Sequence, residues 1–143
     1  MMTRKKFLFL PIVLLVILSA CGGTSSSEVG GDKVTVQGGE YTNISVTDLQ
    51  SLLENKDFLF INVHVPFAGN IPNTDLSIPF DQIQQNVDKL PEDMGAKIVI
   101  YCRSGSMSSV SAMELVKLGY TNIWNLEGGF NAWEQAGLPL IGR

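Results

Sequence analysis

The chain has 143 residues, of which 45% are hydrophobic, and this size and composition predict one ordinary globular domain. The formal net charge is −4, and it becomes −7 without residues 1–20, which hold three of the ten basic residues. So acidic a chain argues against nucleic acid and anionic lipid as electrostatic partners. One histidine and two cysteines, with no Cys-x-x-Cys pair, leave no ligand set for a structural zinc site.

The N-terminus has the pattern of a secretory signal peptide. Residues 1–6 are cationic, and residues 7–20 form an uncharged, mostly apolar run that ends in small side chains. This run is shorter than the roughly 20 residues that a membrane-spanning helix needs. The junction Leu-Ser-Ala-Cys-Gly at 18–22 resembles a bacterial lipobox, in which the cysteine is lipidated and becomes the new N-terminus. We therefore expect an exported protein, lipid-anchored to a bacterial membrane through Cys21 and facing the periplasm or the cell exterior. In the alternative interpretation, Cys21 is only a small residue near an ordinary cleavage site.

Residues 21–40 are rich in glycine and serine and contain few apolar side chains, a composition typical of a flexible tether. The pattern changes after this segment, and we expect residues 41–143 to form the folded domain. A tether of this kind lets the domain stand away from a membrane surface.

Short apolar runs alternate with amphipathic segments from residue 41 onward. The apolar runs predict strands, at 58–63, 77–79, 97–101 and 122–125. The amphipathic segments predict helices, at 47–54, 80–87, 106–118 and 130–135. We expect Thr47 to open the first helix through a capping box and Gly119 to close the third. The side chains of the third helix expected to face the core are Val110, Met113, Leu115 and Val116. This alternation predicts an α/β fold with a small, mainly parallel sheet flanked by helices on both faces.

Cys102 follows the predicted strand 97–101 and precedes a predicted helix. Ligands bind at the carboxyl ends of the strands in an open parallel sheet, so the thiol lies where a site is expected. The next residues are small or hydroxylic, apart from one arginine and one methionine, and they let successive backbone N–H groups point inward at the start of a helix. Such donors lower the pKa of cysteines to roughly 3.5–7.5, which makes Cys102 a nucleophilic thiolate at neutral pH. In the alternative interpretation, Cys102 is a buried small hydrophobic residue.

Three stretches of the chain resemble the rhodanese family. Residues 102–108, Cys-Arg-Ser-Gly-Ser-Met-Ser, are similar to the family's active-site loop, commonly Cys-Arg-x-Gly-x-Arg-Ser. Residues 126–139 are similar to its closing motif of Glu-Gly-Gly, Trp and Gly-x-Pro. Residues 60–64, with the Ile-Pro pairs at 71–72 and 78–79, resemble its Ile-Asp-Val-Arg segment. The residues of the closing motif expected to shape a turn and pack the core, without a chemical role, are Gly128, Gly129 and Trp133.

The resemblance covers about residues 41–140, and it implies a rhodanese-like fold and sulfur transfer in two steps. Cys102 attacks a donor such as thiosulfate, which leaves sulfite and a persulfide, and cyanide or a thiol, including a protein thiol, then takes the terminal sulfur. The loop expected to bind the anion consists of Arg103, Ser104, Gly105, Ser106, Met107 and Ser108. We expect no metal, no organic cofactor and no nucleic-acid partner, and we expect a monomer.

The chain departs from the family pattern at three positions. Met107 stands where a second arginine is common, which removes a cation for the second charge of thiosulfate and leaves Arg103 as the expected anion contact. Asn62 and His64 replace the Asp and Arg of the Ile-Asp-Val-Arg segment, so both members of an ion pair have changed together. His64 is the candidate for the pocket border and titrates near neutrality, whereas Asn62 is expected to be structural. The alternative for His64 is an exposed loop residue.

Three other functions use a cysteine of this kind. A phosphatase or arsenate reductase needs a bidentate arginine that closes the loop, and position 107 is methionine. A thiol-disulfide exchange protein without a resolving cysteine forms only mixed disulfides. A sulfane-sulfur carrier, or a module that binds an anion or a protein, stays open as an alternative. Efficient turnover with a small-molecule acceptor separates a sulfurtransferase from a carrier.

Overall fold

The structure is a computed structural model that describes residues 29–143. The predicted signal peptide, Cys21 and residues 22–28 of the predicted tether lie outside the described residues. The strands are β1 Asp32–Val36, β2 Gly39–Ile44, β3 Leu59–Asn62, β4 Leu76–Ser77, β5 Ile98–Tyr101 and β6 Ile123–Leu126. The helices are α1 Val46–Glu54, α2 Ser106–Lys117 and α3 Gly129–Gln135, with a 3₁₀ helix at Gln84–Lys89.

The strands form one sheet in the order β1-β2-β6-β5-β3-β4. The pairs are parallel except for β1 and β2, which form an antiparallel hairpin. All four side chains of β5 are buried, with Ile98 and Ile100 in one hydrophobic cluster and Val99 and Tyr101 in the other. Burial on both faces explains why this strand is a continuous apolar run rather than an alternating one.

Helices cover both faces of the sheet, as the sequence predicts. α2 packs Leu115 into the cluster that contains Ile98 and Ile100. α1 and α3 pack Leu49 and Trp133 into the cluster on the opposite face. Full burial of a side chain such as Leu115 or Leu49 stabilises the fold by roughly 1.5–3 kcal/mol.

The predicted tether is wrong in its second half, because residues 32–36 form strand β1. Asp32 pairs with Asn43, and Val36 pairs with Gly39. Val34 and Val36 are half-buried and pack against the core, while Gly38 takes a φ of 97° in the hairpin turn. The glycines that suggested a tether therefore belong partly to a turn, and the folded domain begins before residue 41.

The inner face of α2 also differs from the prediction. Leu115 and Val116 are buried as expected, but Val110 is 44% exposed and Met113 is 37% exposed. The inner face instead follows the helical period through Ser108, Ser111, Ala112 and Leu115, all of which are buried. Two of these positions are serines, so the pattern of apolar residues indicates the wrong face at the start of the helix.

Two local predictions need correction. The capping box of α1 lies at Ser45, not Thr47: the Ser45 hydroxyl accepts the Asp48 N–H at 3.2 Å, and the Asp48 carboxylate accepts the Ser45 N–H at 3.0 Å. The predicted helix 80–87 is the 3₁₀ helix at Gln84–Lys89, with non-helical backbone at Asn86. The side chain of Asn86 donates to the Gln82 carbonyl at 2.8 Å, and such local bonds compete with regular helix.

No helix within residues 29–143 combines the length and the apolar character that crossing a bilayer requires.

Candidate active site

Cys102 follows β5 directly, and its side chain is 1% exposed. The chain turns through Arg103, Ser104 and Gly105 into α2, and Gly105 takes a φ of 98°, a conformation that favours glycine. The Gly105 N–H donates to Cys102 Sγ at 3.1 Å. The hydroxyl of Ser108, in the first turn of α2, donates to the same sulfur at 3.5 Å. The sulfur thus lies in a ring of donors at the N-terminus of a helix, where a negative charge is stabilised.

Two influences oppose each other on the pKa of Cys102. Burial is the largest single influence and raises the pKa, because it disfavours the thiolate. The Ser108 hydroxyl and the N–H groups of Ser108, Ser104 and Gly105 lower the pKa by hydrogen bonding to the charged form. Together these bonds outweigh burial, so the pKa lies below the ordinary value of a cysteine. The arrangement therefore favours a reactive thiolate over an inert buried thiol.

The start of α2 is fixed by serine hydroxyls. Ser109 donates to the Gly105 carbonyl at 2.7 Å, and the Ser108 oxygen lies 3.1 Å from the same carbonyl oxygen, so the single hydroxyl proton of Ser108 is shared between this carbonyl and Cys102 Sγ. Ser108 is fully buried and reaches the sulfur as well as this carbonyl, whereas Ser109 is half-buried. The two serines therefore share one role in the backbone, and Ser108 has an additional contact with Cys102.

The remaining residues of the predicted loop lie at its rim. Arg103, Ser104 and Ser106 are exposed, and Ser104 contributes its N–H to the sulfur. Met107 is half-buried and packs against the hydrophobic cluster under α2. The guanidinium of Arg103 is therefore free to meet an incoming anion, while Met107 lines the loop with an apolar surface.

His64 lies two residues beyond β3, on the side of the sheet that α3 covers. Its ring meets the ring of Phe130 edge-on, with centroids 5.3 Å apart. Its Nδ1 is buried and has no hydrogen-bond partner among the described residues. Burial, and then the positive charge of Arg103, lower the pKa of His64. Both influences disfavour the protonated ring, so His64 is neutral near pH 7, and the effect of Arg103 shows that its guanidinium lies near this ring.

Asn62 has a structural place. It is 1% exposed, and its Nδ2 donates to the Gly69 carbonyl at 3.0 Å and to Asn70 Oδ1 at 2.8 Å. Its Oδ1 accepts the His64 N–H at 3.0 Å. These bonds hold the chain between β3 and β4 without a charged partner.

The start of α3 positions the cysteine loop, a role that the sequence pattern did not predict. The N–H of Phe130 donates to the Cys102 carbonyl at 2.9 Å, and the N–H of Asn131 donates to the Arg103 carbonyl at 3.0 Å. A Cβ at Gly129 would lie 2.2 Å from the Cys102 carbonyl oxygen, so this contact requires glycine. The available signal was the glycine pair at 128–129, one residue after a strand, which indicates close approach of two backbones.

Comparisons with known proteins agree with this geometry. Residues 39–136 match the model of the family described as rhodanese-like domain. A sulfurtransferase of Allochromatium vinosum is 35% identical over 95 residues, which cover 64% of this chain and 86% of that protein. Thiosulfate sulfurtransferase GlpE of Pseudoalteromonas translucida is 27% identical over 99 residues, which cover 67% of this chain and 91% of that protein.

A solved structure supports the same fold. The crystal structure of a rhodanese-related protein from Thermoplasma volcanium has a TM-score of 0.59 and 27% identity, and the match covers 69% of this chain and 96% of that chain. The described sheet, with helices on both faces and a cysteine loop at the carboxyl end of β5, is therefore a rhodanese-like fold. The chain belongs to the rhodanese-like domain family, and its relatives support sulfur transfer as its general activity.

Proposed function

We propose that this protein is a sulfurtransferase that moves sulfane sulfur from a small donor such as thiosulfate to cyanide or a thiol, through a persulfide on Cys102. One observation carries the proposal: the buried sulfur at the end of β5 accepts the Gly105 N–H and the Ser108 hydroxyl. These donors stabilise the thiolate that must attack the donor. The N-terminus of α2 also favours the negative charge that a persulfide keeps on its terminal sulfur.

The proposed reaction balances without a redox partner. The Cys102 thiolate attacks the outer sulfur of thiosulfate, a new S–S bond forms, and the S–S bond of thiosulfate breaks with its electron pair leaving on sulfite. The acceptor then attacks the terminal sulfur of the persulfide. The Cys102–S bond breaks, and the thiolate is restored while thiocyanate or a new persulfide departs. Because each step exchanges one sulfur bond for another, the mechanism uses no metal and no organic cofactor.

The surroundings of the sulfur favour small or slender reactants. Cys102 is only 1% exposed, so a donor or acceptor must reach it past the rim of the loop. Arg103 is exposed at that rim and carries the positive charge that suits an anionic donor. A thiol acceptor must likewise present its sulfur on a narrow group.

Thiocyanate formation from thiosulfate and cyanide tests this activity. Wild-type protein is expected to turn over. Cys102→Ser is expected to lose activity by about a thousandfold or more, because a serine hydroxyl is not ionised at neutral pH and is a far weaker nucleophile than a thiolate. Activity that survives in Cys102→Ser would refute the mechanism. Wild-type protein that loads sulfur but hands none to cyanide would support the carrier alternative instead.

We also propose that the protein is exported and lipid-anchored through Cys21, which is supported by the signal pattern of residues 1–20 and the Leu-Ser-Ala-Cys junction. Several acyl chains would hold it firmly, since a single chain binds a bilayer only marginally. Cys21→Ala is expected to release the protein from the membrane fraction. A variant that still sediments with membranes would contradict the anchor.

A further inference from the structure

The hairpin of β1 and β2 brings the N-terminal end of the described chain to the same edge of the sheet as Cys102. β2 runs parallel to β6 and β5, and β1 runs in the opposite direction. Asp32, the first residue of β1, pairs with Asn43 of β2. Asn43 pairs with Asn125 of β6, and Asn125 pairs with Ile100 of β5, so Asp32 and Ile100 lie at the same level of the sheet. Cys102 lies two residues beyond Ile100. The chain therefore enters the domain at the carboxyl edge of the parallel strands, which we call the catalytic edge.

The entry point is fixed against the sheet and lies close to the site. A Cβ at Gly31 would lie 2.5 Å from the Asn43 carbonyl oxygen, so the backbone at Gly31 is in close contact with the end of β2. β1 and β5 are three strand spacings apart in the sheet, which is about 14 Å. Gly30 thus lies at the same height along the strands as Cys102, about 14 Å away across the sheet. Without β1, the chain would enter through β2 at the opposite edge, about a strand length away.

Chain length limits how far this edge lies from a lipidated Cys21. Nine residues, 22–30, separate Cys21 from Gly31. A chain of this length spans at most about 36 Å when fully extended. This length allows either edge to touch the bilayer, but because the chain joins the domain at the catalytic edge, a lipid on Cys21 would keep that edge closer to the bilayer on average than the opposite edge.

We propose that the catalytic edge faces the membrane and that Cys102 passes its sulfur to a thiol held at the membrane surface. The proposal rests on the lipid anchor and on the persulfide chemistry proposed above. A thiolate on the membrane attacks the terminal sulfur of the Cys102 persulfide, the Cys102–S bond breaks, and the persulfide is now on the membrane-held group. Confinement of both partners to one surface raises their effective concentration, which favours this acceptor over a dissolved thiol without an additional contact.

Orientation can be measured without any sulfur chemistry. Glu127 and Thr121 are exposed residues that flank β6 on the catalytic and the opposite edge, about 20 Å apart along the chain direction. A fluorophore is attached to Glu127→Cys or Thr121→Cys in the lipidated full chain, each combined with Cys102→Ser so that one thiol is labelled. Energy transfer to acceptor dyes in vesicles is then compared between the two. Gln37→Cys, in the hairpin turn, provides a second position on the opposite edge.

We expect stronger energy transfer from position 127 than from positions 121 and 37. Equal transfer, or stronger transfer from the opposite edge, would overturn the proposed orientation, and so would a chain that does not bind the vesicles. Because these variants lack the nucleophile, the result is independent of whether sulfur transfer occurs.

The acceptor is tested with the persulfide form of the lipidated chain on vesicles that contain a phospholipid with a thiol headgroup. A dissolved thiol of the same structure is the comparison. Ten Gly-Ser residues inserted after position 27 roughly double the tether, which should slow transfer to the lipid thiol by about threefold and leave transfer to the dissolved thiol unchanged. The proposed partner would be overturned if the rate of transfer to the lipid thiol did not change with tether length, or if it were lower than the rate of transfer to the dissolved thiol. A chain that never loads sulfur but shows the expected energy transfer would refute the proposed function and leave the orientation standing.

Discussion

Burial and hydrogen bonding have opposite effects on the ionisation of the Cys102 thiol. The side chain is 1% exposed, which opposes the thiolate, yet the bonds from Ser108, Ser104 and Gly105 prevail and lower its pKa. Most of these donors are backbone N–H groups, whose position depends on the fold of the loop rather than on side-chain identity. Ser108 is the exception, because its hydroxyl also contacts the sulfur.

Replacing Ser108 by Ala tests this side-chain contribution. Loss of a donor to the thiolate raises the pKa of Cys102, so at a fixed neutral pH the thiolate fraction falls. We expect alkylation of Cys102 by iodoacetamide at pH 7 to slow by about tenfold, which corresponds to about 1.5 kcal/mol, the lower end of the range for one hydrogen bond to a charged group. The pH profile of alkylation should move upward.

Ser109→Ala is the matched control, because Ser109 also donates to the Gly105 carbonyl. If both variants slow alkylation equally, the effect comes from the start of α2 and not from a bond to the sulfur. An unmoved pH profile in Ser108→Ala would contradict the assigned cause of the lowered pKa.

Met107→Arg tests whether the missing cation limits binding of the donor. Met107 is half-buried in the first turn of α2, next to the loop that holds Cys102. An arginine there should lower the KM for thiosulfate by about fivefold, which corresponds to an ion pair of about 1 kcal/mol. Val110→Arg adds the same charge on an exposed part of α2 and serves as the control. An equal change in both variants would show that only overall charge matters.

At the scale of elements, α3 is both a core helix and a support for the cysteine loop. Trp133 packs into the core, while the N–H groups of Phe130 and Asn131 hold the carbonyls of Cys102 and Arg103. Strands β1 and β2 were not predicted, but β3 to β6 were predictable from their apolar runs, and so was the core packing of Trp133. The support of the cysteine loop by α3 was not predictable, because hydrogen bonds between two backbones leave no side-chain pattern in the sequence except the glycine that permits the close contact.

Gly129→Ala tests the close approach of these two backbones. The new Cβ would lie 2.2 Å from the Cys102 carbonyl oxygen, and the residue has a φ of 58°. We expect the free energy of unfolding to fall by roughly 3 kcal/mol or more, from strain at positive φ together with the clash. Alkylation of Cys102 should change as well, because its backbone must move. Chemical denaturation and alkylation rates measure both effects.

Gly137→Ala provides the control for backbone strain alone. Gly137 has a φ of 80°, and a Cβ there meets nothing within 4 Å. Its cost is expected to be about 1–2 kcal/mol, with alkylation of Cys102 unchanged. Equal losses in the two variants would show that the contact with the cysteine loop has no energetic weight.

At the scale of the whole molecule, the order of strands and helices follows from the sequence, but the beginning of the domain does not. Parallel strands alternating with helices were visible in the apolar runs. β1 was hidden because it is short, only half-buried and flanked by glycines. The serines on the inner face of α2 were missed because they are polar: Ser108 contacts Cys102 Sγ, and Ser111 donates to the Phe80 carbonyl at 3.3 Å.

Removal of β1 measures what the hairpin contributes. A chain that starts at residue 39 loses the pairing partner of β2 and the packing of Val34 and Val36. Compared with a chain that starts at residue 29, we expect the free energy of unfolding in urea to fall by roughly 2–3 kcal/mol, from partial burial of two valines. The exposed edge of β2 should also promote aggregation. Equal stability of the two chains would mean that residues 29–38 are an accessory to the domain.

The most direct test of the proposed function is the intact mass of the protein after treatment with thiosulfate, before and after addition of cyanide. The persulfide mechanism predicts a gain of one sulfur atom that cyanide removes as thiocyanate, and no gain in Cys102→Ser. An unchanged mass in wild-type protein whose Cys102 is shown to be free and reactive would contradict a persulfide formed from thiosulfate.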